Sequence, residues 1–278
     1  MTSSRKAPSK VLKRVEVYSS EDPAGPDLSP SLKAVRSLFP TVVIKLRPSV
    51  SHGMSSKKPE AAARSLAQAR VKDPDKAEQD FEPMYGEVDY ELRALQGEAK
   101  VGGVVYDGRL LAEAFREHFL GSLSYDTAHV VLTDRLVTTF SRDDLRHHLR
   151  TLVCGFPSIV SLPGIVEAPA KPREYYLMKQ ELEMRGAGEL QLERLKASFS
   201  GRFIDYGDQR TPQIVSGLLL QAVMYHLTLD PFCEDSKCRL FNAHWQEDLI
   251  GSQVTSAALC RKHTKQISEL AKSPAISW

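Results

Sequence analysis

The stretch QAVMYHLTLDPFCEDSKC, residues 221–238, ends in two cysteines with the spacing C-x4-C, Cys233 and Cys238. The four residues between them are polar and turn-forming, which suits a metal-binding loop. A second pair, Cys260 and His263, follows in the segment LCRKH. Two close pairs separated by a moderate loop are typical of a structural Zn²⁺ site, in which three thiolates and one imidazole complete a tetrahedron. The alternative is three unrelated cysteines and a surface histidine.

Composition excludes several classes of protein. The chain has 278 residues, with 37 Lys and Arg against 35 Asp and Glu, so its net charge is only +2. That balance gives no overall field for nucleic acid, and the basic start, Arg5 to Arg14, lacks interleaved aromatic residues. No apolar run is long enough for a membrane helix, and the start has no apolar signal segment. We therefore expect a cytoplasmic protein with reduced thiols, no membrane association and no nucleic-acid partner.

The first hundred residues predict a β-α-β unit followed by charged helices. Residues 11–18 and 41–46 have the apolar pattern of strands, and residues 29–39 have helical spacing between them. Residues 49–58 are polar and basic and predict a loop, whereas residues 59–78 are rich in alanine and charge and predict exposed helices.

The remaining residues predict alternating helices and buried strands. The best amphipathic helix is 107–119, with Asp107 as its cap, and a buried strand follows at 128–133. A Ser-x-x-Asp signal predicts a helix over 141–152. Residues 156–166 read as extended, and Cys154 before them as a small buried apolar residue. Further helices are predicted over 174–197, 213–229 and 242–253.

The segment that contains the first cysteine pair resembles the archaemetzincins, small zinc peptidases of the metzincin group. In that family a helix ends in H-E-x-x-H-x-x-G-x-x-H, and C-x4-C, a methionine turn and a second ligand pair follow. Leu240 falls near the turn methionine. An archaeal group of metallopeptidase-like proteins is also similar over HVVLTDRLVTTF (129–140), GIVEAPAKPREYY (164–176) and NAHWQE (242–247). The resemblance covers roughly residues 103–267.

The catalytic motif of that family is largely absent from this sequence. Counted back from Cys233, its five positions hold Ala222, Val223, His226, Leu229 and Phe232. A catalytic zinc of this type needs three histidines, and it needs a glutamate that accepts a proton from the bound water. Only His226 matches, so the resemblance implies a retained structural zinc site and a degenerate catalytic site.

Replacement ligands are conceivable. A helix over 242–253 would place His244 and Glu247 on one face, and packing against His226 would then give two histidines and a carboxylate. The alternative is a solvated helix face and a hydrogen-bonded core His226. His147 and His148 would point to opposite sides of the helix predicted around them.

The sequence therefore predicts an α/β (α+β) fold, a metzincin-like mixed sheet with helices and a C-terminal helical region stapled by zinc. We expect an N-terminal part over residues 1–100 and a metzincin-like domain over residues 101–278. Two hypotheses for function stay open: a metallopeptidase acting through His226, His244 and Glu247 with a second zinc, and an inactive zinc-stapled module that binds a peptide or protein. Residues 168–176 (APAKPREYY) could line such a ligand site or simply lead into the next helix.

Overall fold

The computed structural model describes residues 10–55, 58–78, 81–121 and 123–278. Arg5, Lys6 and Lys57, which contribute to the basic start and the basic loop of the sequence, lie outside these residues. The first half of the described chain contains β1 (Arg14–Tyr18), α1 (Ser29–Leu38), β2 (Val43–Arg47), α2 (Val50–Met54), α3 (Pro59–Gln68), α4 (Tyr85–Leu95), β3 (Val105–Asp107), α5 (Gly108–Phe115), β4 (Thr127–Thr133) and β5 (Leu136–Ser141).

The second half continues with β6 (Arg146–Arg150), β7 (Leu152–Val153), β8 (Ser158–Ser161), α6 (Leu162–Glu167), α7 (Arg173–Met184), α8 (Glu189–Ser198), α9 (Thr211–Thr228), α10 (Gln246–Ile250) and α11 (Arg261–Lys272). Two π-helical turns, Arg116–Leu120 and Gly251–Ser256, extend α5 and α10.

The main sheet has five strands in the order β2-β1-β4-β8-β7. The first four strands are parallel and the edge strand β7 is antiparallel, so the predicted mixed α/β fold is confirmed. A smaller sheet has the order β3-β5-β6. The main sheet takes strands from both sides of residue 100, so the two predicted parts share one sheet.

Apolar side chains cover both faces of the main sheet. Alternate residues of a strand point to opposite faces, and in β4 Val130 belongs to one core cluster whereas Val131 belongs to the other. The first cluster contains the apolar faces of α1 and α9, and the second contains those of α2, α3 and α5. Helix α9 is buried on nearly all sides, and its surroundings decide what its side chains can do.

The predicted β-α-β unit is confirmed as β1, α1 and β2. Val15 of β1 lies opposite Ile44 of β2 in parallel register, and Leu32 and Val35 of α1 are buried in the same cluster. The predicted cap of the amphipathic helix is also confirmed, because the Asp107 carboxylate accepts hydrogen bonds from the backbone N–H groups at the start of α5.

The helix predicted over 141–152 is wrong. This segment forms the strand β6, which pairs with β5 so that His148 lies opposite Thr139. The two histidines do face opposite ways, as residues of a strand: the His147 ring bonds the Thr138 hydroxyl and the His148 ring bonds Asp144. Antiparallel pairing with the preceding strand β5 outweighed the capping signal at Ser141.

Several other element boundaries also differ from the prediction. Residues predicted as a loop form α2, whose first turn is capped by the Ser49 hydroxyl and which buries Val50 and Met54. The extended segment over 156–166 ends at Ser161, whose hydroxyl caps α6. The helix predicted from residue 242 begins only at Gln246.

Among the described helices, none combines the length and the apolar character that a membrane crossing demands.

Candidate metal centre

The structure brings the four predicted zinc ligands together. The ligand atoms of Cys233, Cys238, Cys260 and His263 all lie within 4.8 Å of one another. Cys238 and His263 are buried, and Cys233 and Cys260 are partly exposed. The two pairs, which are distant in sequence, therefore form one cluster of potential metal ligands.

The first pair lies in the loop that follows α9. That helix ends at Leu229, which adopts a left-handed conformation with φ of 57°. Beyond it, the Cys233 N–H donates to the Leu240 carbonyl at 2.9 Å and the Cys238 N–H donates to the Asp235 carbonyl at 2.9 Å. Both cysteines are therefore held by backbone hydrogen bonds.

The second pair lies at the start of α11. Cys260 is the residue that caps this helix, and His263 follows in its first turn. The loop before α11 contacts the first pair, since the Arg239 N–H donates to the Ala258 carbonyl at 2.7 Å and the Cys260 N–H points to the Cys238 sulfur at 3.4 Å. The cluster thus joins the end of α9 to the beginning of α11.

The distances within the cluster fit a tetrahedral zinc ion. Thiolates about 2.3 Å from zinc lie about 3.8 Å apart, and a thiolate and an imidazole nitrogen lie about 3.6 Å apart. The Cys233 and Cys260 sulfurs are 3.9 Å apart, and the His263 Nδ1 is 3.7 Å from the Cys238 sulfur and 3.2 Å from the Cys260 sulfur. Three sulfurs and one imidazole nitrogen are also a donor set that zinc prefers.

Burial and hydrogen bonding shift the pKa values of the candidate ligands in different directions. Burial raises the pKa of Cys238 to about 12, whereas the backbone N–H of His263 lowers the pKa of Cys260. Burial also lowers the pKa of His263, which favours the neutral imidazole that binds metal. A metal ion that binds here must displace thiol protons, so its affinity rises with pH.

His226 lies in the core near the end of α9. Its ring is 5% exposed, and its Nε2 donates a hydrogen bond to the Tyr125 carbonyl at 2.8 Å. The Phe156 ring packs edge-on against it, with centroids 5.5 Å apart, and burial lowers its pKa. Burial, the Phe156 contact and the hydrogen bond to a backbone carbonyl give His226 the environment of a core histidine, and among the described residues it belongs to no group of potential metal ligands.

His244 and Glu247 do not share a helix face. His244 is exposed and lies before the start of α10. Its backbone carbonyl accepts a hydrogen bond from the Ala170 N–H at 2.8 Å. The Glu247 carboxylate forms an ion pair with Arg202 at 2.7 Å. Within the described ranges, the group of potential metal ligands is the cysteine and histidine cluster, and neither residue belongs to it. The predicted helical juxtaposition of His244 and Glu247 is therefore wrong, because the helix begins two residues after His244.

Two residues that the resemblance aligns with the catalytic motif lie in the apolar core. Ala222 and Val223 are 1% and 0% exposed and belong to the apolar cluster that α9 shares with the sheet. Beside α9 lies a cavity of about 40 Å³, whose lining includes Leu218, Gln221 and Phe232 of this region and also His244. This volume holds about one water molecule, which is far less than a peptide side chain needs.

The other residues that sequence analysis singled out have structural roles. Cys154 is half-buried against the core, and burial raises its pKa to about 12. The segment 168–176 leads into α7, with Pro172 directly before the helix and Glu174 in its first turn. Sequence analysis missed the backbone groups that hold the cysteine loops, such as the Leu240 and Ala258 carbonyls, because such hydrogen bonds leave no signal in side-chain identity.

Comparison with known proteins places this geometry in a family. The chain is similar to the crystal structure of archaemetzincin from Methanopyrus kandleri, with 13% identity, a TM-score of 0.46, and coverage of 95% of this chain and 97% of that chain. No curated protein matches it. Residues 12–270 match the family described as "Probable metallopeptidase family (DUF6775)". Because this match spans nearly the whole chain, the protein belongs to that metallopeptidase family.

Proposed function

We propose that this protein holds one structural zinc ion through Cys233, Cys238, Cys260 and His263. The four donor atoms within 4.8 Å of one another carry the proposal. A bound zinc supplies a crosslink between the loop after α9 and the start of α11. It contributes to stability in the way that structural zinc sites do, since the metal binds the folded chain and not the unfolded one.

We further propose that the protein is a pseudoenzyme at the position where its family relatives would hold a catalytic zinc. Ala222 and Phe232 offer no metal-binding atom, and Val223 offers no base. Among the described residues, His226 belongs to no group of potential metal ligands, and Glu247 is paired with Arg202, which supports the same conclusion. His226, His244 and Glu247 then serve packing and surface roles rather than hydrolysis.

The molecular role that follows is binding of a peptide or protein ligand by a scaffold inherited from peptidases. The family match supports this role, because a peptidase fold is built to contact an extended peptide. The reduced thiols that the zinc cluster requires suit a cytoplasmic setting.

Peptide hydrolysis tests the proposal. Zinc-loaded protein incubated with a mixed peptide library should leave the peptides intact, as should the variant His226→Ala. Cleavage by the wild type that disappears in His226→Ala, His244→Ala or Glu247→Gln would overturn it and favour the peptidase hypothesis. The control is Cys154→Ser, which changes a cysteine outside the cluster and should behave as the wild type does.

A further inference from the structure

A second cavity lies on the other face of the main sheet from α9. It has a volume of about 620 Å³, within the usual range for small-molecule sites. Strands β1, β2 and β4 form its floor, and residues of α2 and of the π-helical turn Arg116–Leu120 form its sides. We call it the sheet-face cavity; its lining is Arg14, Glu16, Tyr18, Arg47, Pro48, Ser49, His52, Gly53, Phe119, Leu120, Ser124, Thr127 and His129.

Strand register brings the polar side chains of the floor together. Glu16 and Tyr18 are two residues apart in β1 and therefore point to the same face. In the register of the sheet, Glu16 lies opposite His129 of β4, and Tyr18 lies opposite Arg47 of β2. Glu16 and Tyr18 are 7% and 6% exposed, so this polar patch is built into the sheet rather than spread over the surface.

Tyr18 and His129 form a hydrogen-bonded pair that keeps a donor for a ligand. The Tyr18 hydroxyl and the His129 Nδ1 are 3.0 Å apart. Burial lowers the pKa of His129 and raises that of Tyr18 to about 12, so both are neutral near pH 7. If the hydroxyl donates, the His129 Nε2–H remains free, and if Nδ1–H donates, the hydroxyl proton remains free. Either arrangement leaves one donor in the cavity wall.

The charge of the cavity favours a monoanion. Arg47 pairs with Glu16, its Nη2 lying 3.1 Å from Oε1, and this pair is neutral overall. Within the described part of the chain, the hydrogen bond of the second guanidinium, that of Arg14, is a 3.4 Å contact from its Nε to the Thr127 hydroxyl. Among the described lining residues, Glu16 is the sole carboxylate, so two guanidinium groups face one negative charge. A ligand with one negative charge would neutralise the one positive charge that remains.

Part of the cavity wall is apolar. Phe119 packs edge-on against Tyr18, with ring centroids 5.7 Å apart, and Leu120 and Pro48 lie beside it. An apolar body could bury its surface against these side chains while a charged group meets the guanidinium. Apolar walls with a few convergent polar groups are typical of small-molecule sites.

We propose that the sheet-face cavity binds a small organic monocarboxylate, with the carboxylate at Arg14 and the Tyr18–His129 pair and the apolar part against Phe119 and Leu120. A phosphate group carries about −1.5 to −2 charges at pH 7 and exceeds the single excess positive charge. The site contains none of the zinc ligands and none of the residues of α9. Its test is therefore independent of the proposed function.

Binding of 3-phenylpropionate to the full zinc-loaded chain tests the proposal. Ligand-detected NMR titration should show saturable binding of this acid and of butyrate, and much weaker binding of the neutral 3-phenylpropanamide. Arg14→Gln should weaken binding of the acid about tenfold, since it removes a charge-assisted hydrogen bond. Lys13→Gln is the matched control, because Lys13 is the neighbouring exposed cation and pairs with Asp126 outside the cavity.

Tyr18→Phe gives a second, independent variant. It keeps the ring against Phe119 and removes the hydroxyl, and it should weaken acid binding several-fold while leaving the melting temperature close to that of the wild type. Equal affinity for acid and amide, equal loss in Arg14→Gln and Lys13→Gln, tighter binding of inorganic phosphate than of the acids, or no saturable binding of either acid would each overturn the proposal.

Discussion

The residues before Cys233 and those from Cys233 onward differ in the metal-binding atoms that they offer. After it, donor atoms from two distant segments lie within 4.8 Å of one another and match a zinc tetrahedron. Before it, α9 presents Ala222 and Val223 at the corresponding motif positions, and both are packed into the core. One stretch of chain thus contributes to a cluster of potential metal ligands, while the helix before it presents apolar side chains to the core.

Under the proposed function, this difference means that a structural metal site can be kept where a catalytic one is absent. The cysteine cluster joins α9 to α11, so removing a ligand there should harm the fold. The catalytic positions on α9 tolerate apolar residues because apolar side chains pack well in a buried helix. Substitutions on the two sides of Cys233 should therefore have different consequences.

The largest effect is expected from Cys238→Ser. Cys238 is fully buried and contacts both members of the second pair, Cys260 and His263, so its loss should release the zinc. Structural zinc contributes about 10–16 kcal/mol of apparent binding free energy in small zinc-finger peptides, and we expect a loss of stability of several kcal/mol here. Differential scanning calorimetry should show a melting temperature lower by about 10 °C or more. Cys154→Ser should keep its zinc, and equal behaviour of the two variants would contradict the assignment.

A large effect is also expected when a catalytic residue is reintroduced. Val223→Glu restores the motif glutamate at a position that is 0% exposed and lined by apolar residues. A carboxyl group buried there without a partner should cost about 3 kcal/mol or more. Denaturant unfolding would measure this loss, with Val223→Leu as the apolar control. A stable variant that binds additional zinc would show instead that a metal site persists at α9.

An intermediate effect is expected from the titration of His226. Burial holds its pKa in the folded protein below the ordinary value of 6.5. As pH falls below 6.5, His226 of the unfolded chain binds a proton, whereas His226 of the folded chain stays neutral. The free energy of unfolding therefore decreases as pH falls from about 6.5 to the lower pKa of the folded state. His226→Gln removes this titration, and the variant should lose less stability than the wild type between about pH 7.5 and about pH 5.5. An identical pH dependence of the denaturation midpoints in both proteins would argue against a neutral, buried His226.

The smallest effect is expected from Glu247→Gln. The Glu247 and Arg202 side chains are 51% and 42% exposed, and solvent screens such pairs. The variant should lose no more than about 1 kcal/mol of unfolding free energy and should keep its zinc. A drop in zinc content on this substitution would reveal a metal-binding role for the carboxylate.

The sequence carried enough information for the parts of the fold in which local pattern and tertiary environment agree. The C-x4-C and C-x2-H spacings predicted the cluster, and apolar periodicity predicted α9 and the β1-α1-β2 unit. The predictions of secondary structure failed where backbone hydrogen bonds to another segment determined the structure. The β6 strand, with His147 and His148, has a helical capping signal but is stabilised by β5, and α10 starts later than predicted because the residues around His244 bond to Ala170.

The metal cluster and the sheet-face cavity also differ in how far they could be predicted from the sequence. The zinc ligands could be named from the sequence because thiols and imidazoles at regular spacing are rare. The Tyr18–His129 pair depends on the register of β1 with β4, two strands more than a hundred residues apart in the chain, and neither residue type nor spacing indicates such a contact.

Elemental analysis of zinc in the purified protein tests the central claim most directly. The account predicts one zinc per chain in the wild type, one in a variant that lacks His226, His244 and Glu247, and none in Cys238→Ser. Two zinc ions per chain with one lost from the triple variant, or no zinc in the wild type after growth and purification with zinc, would contradict it.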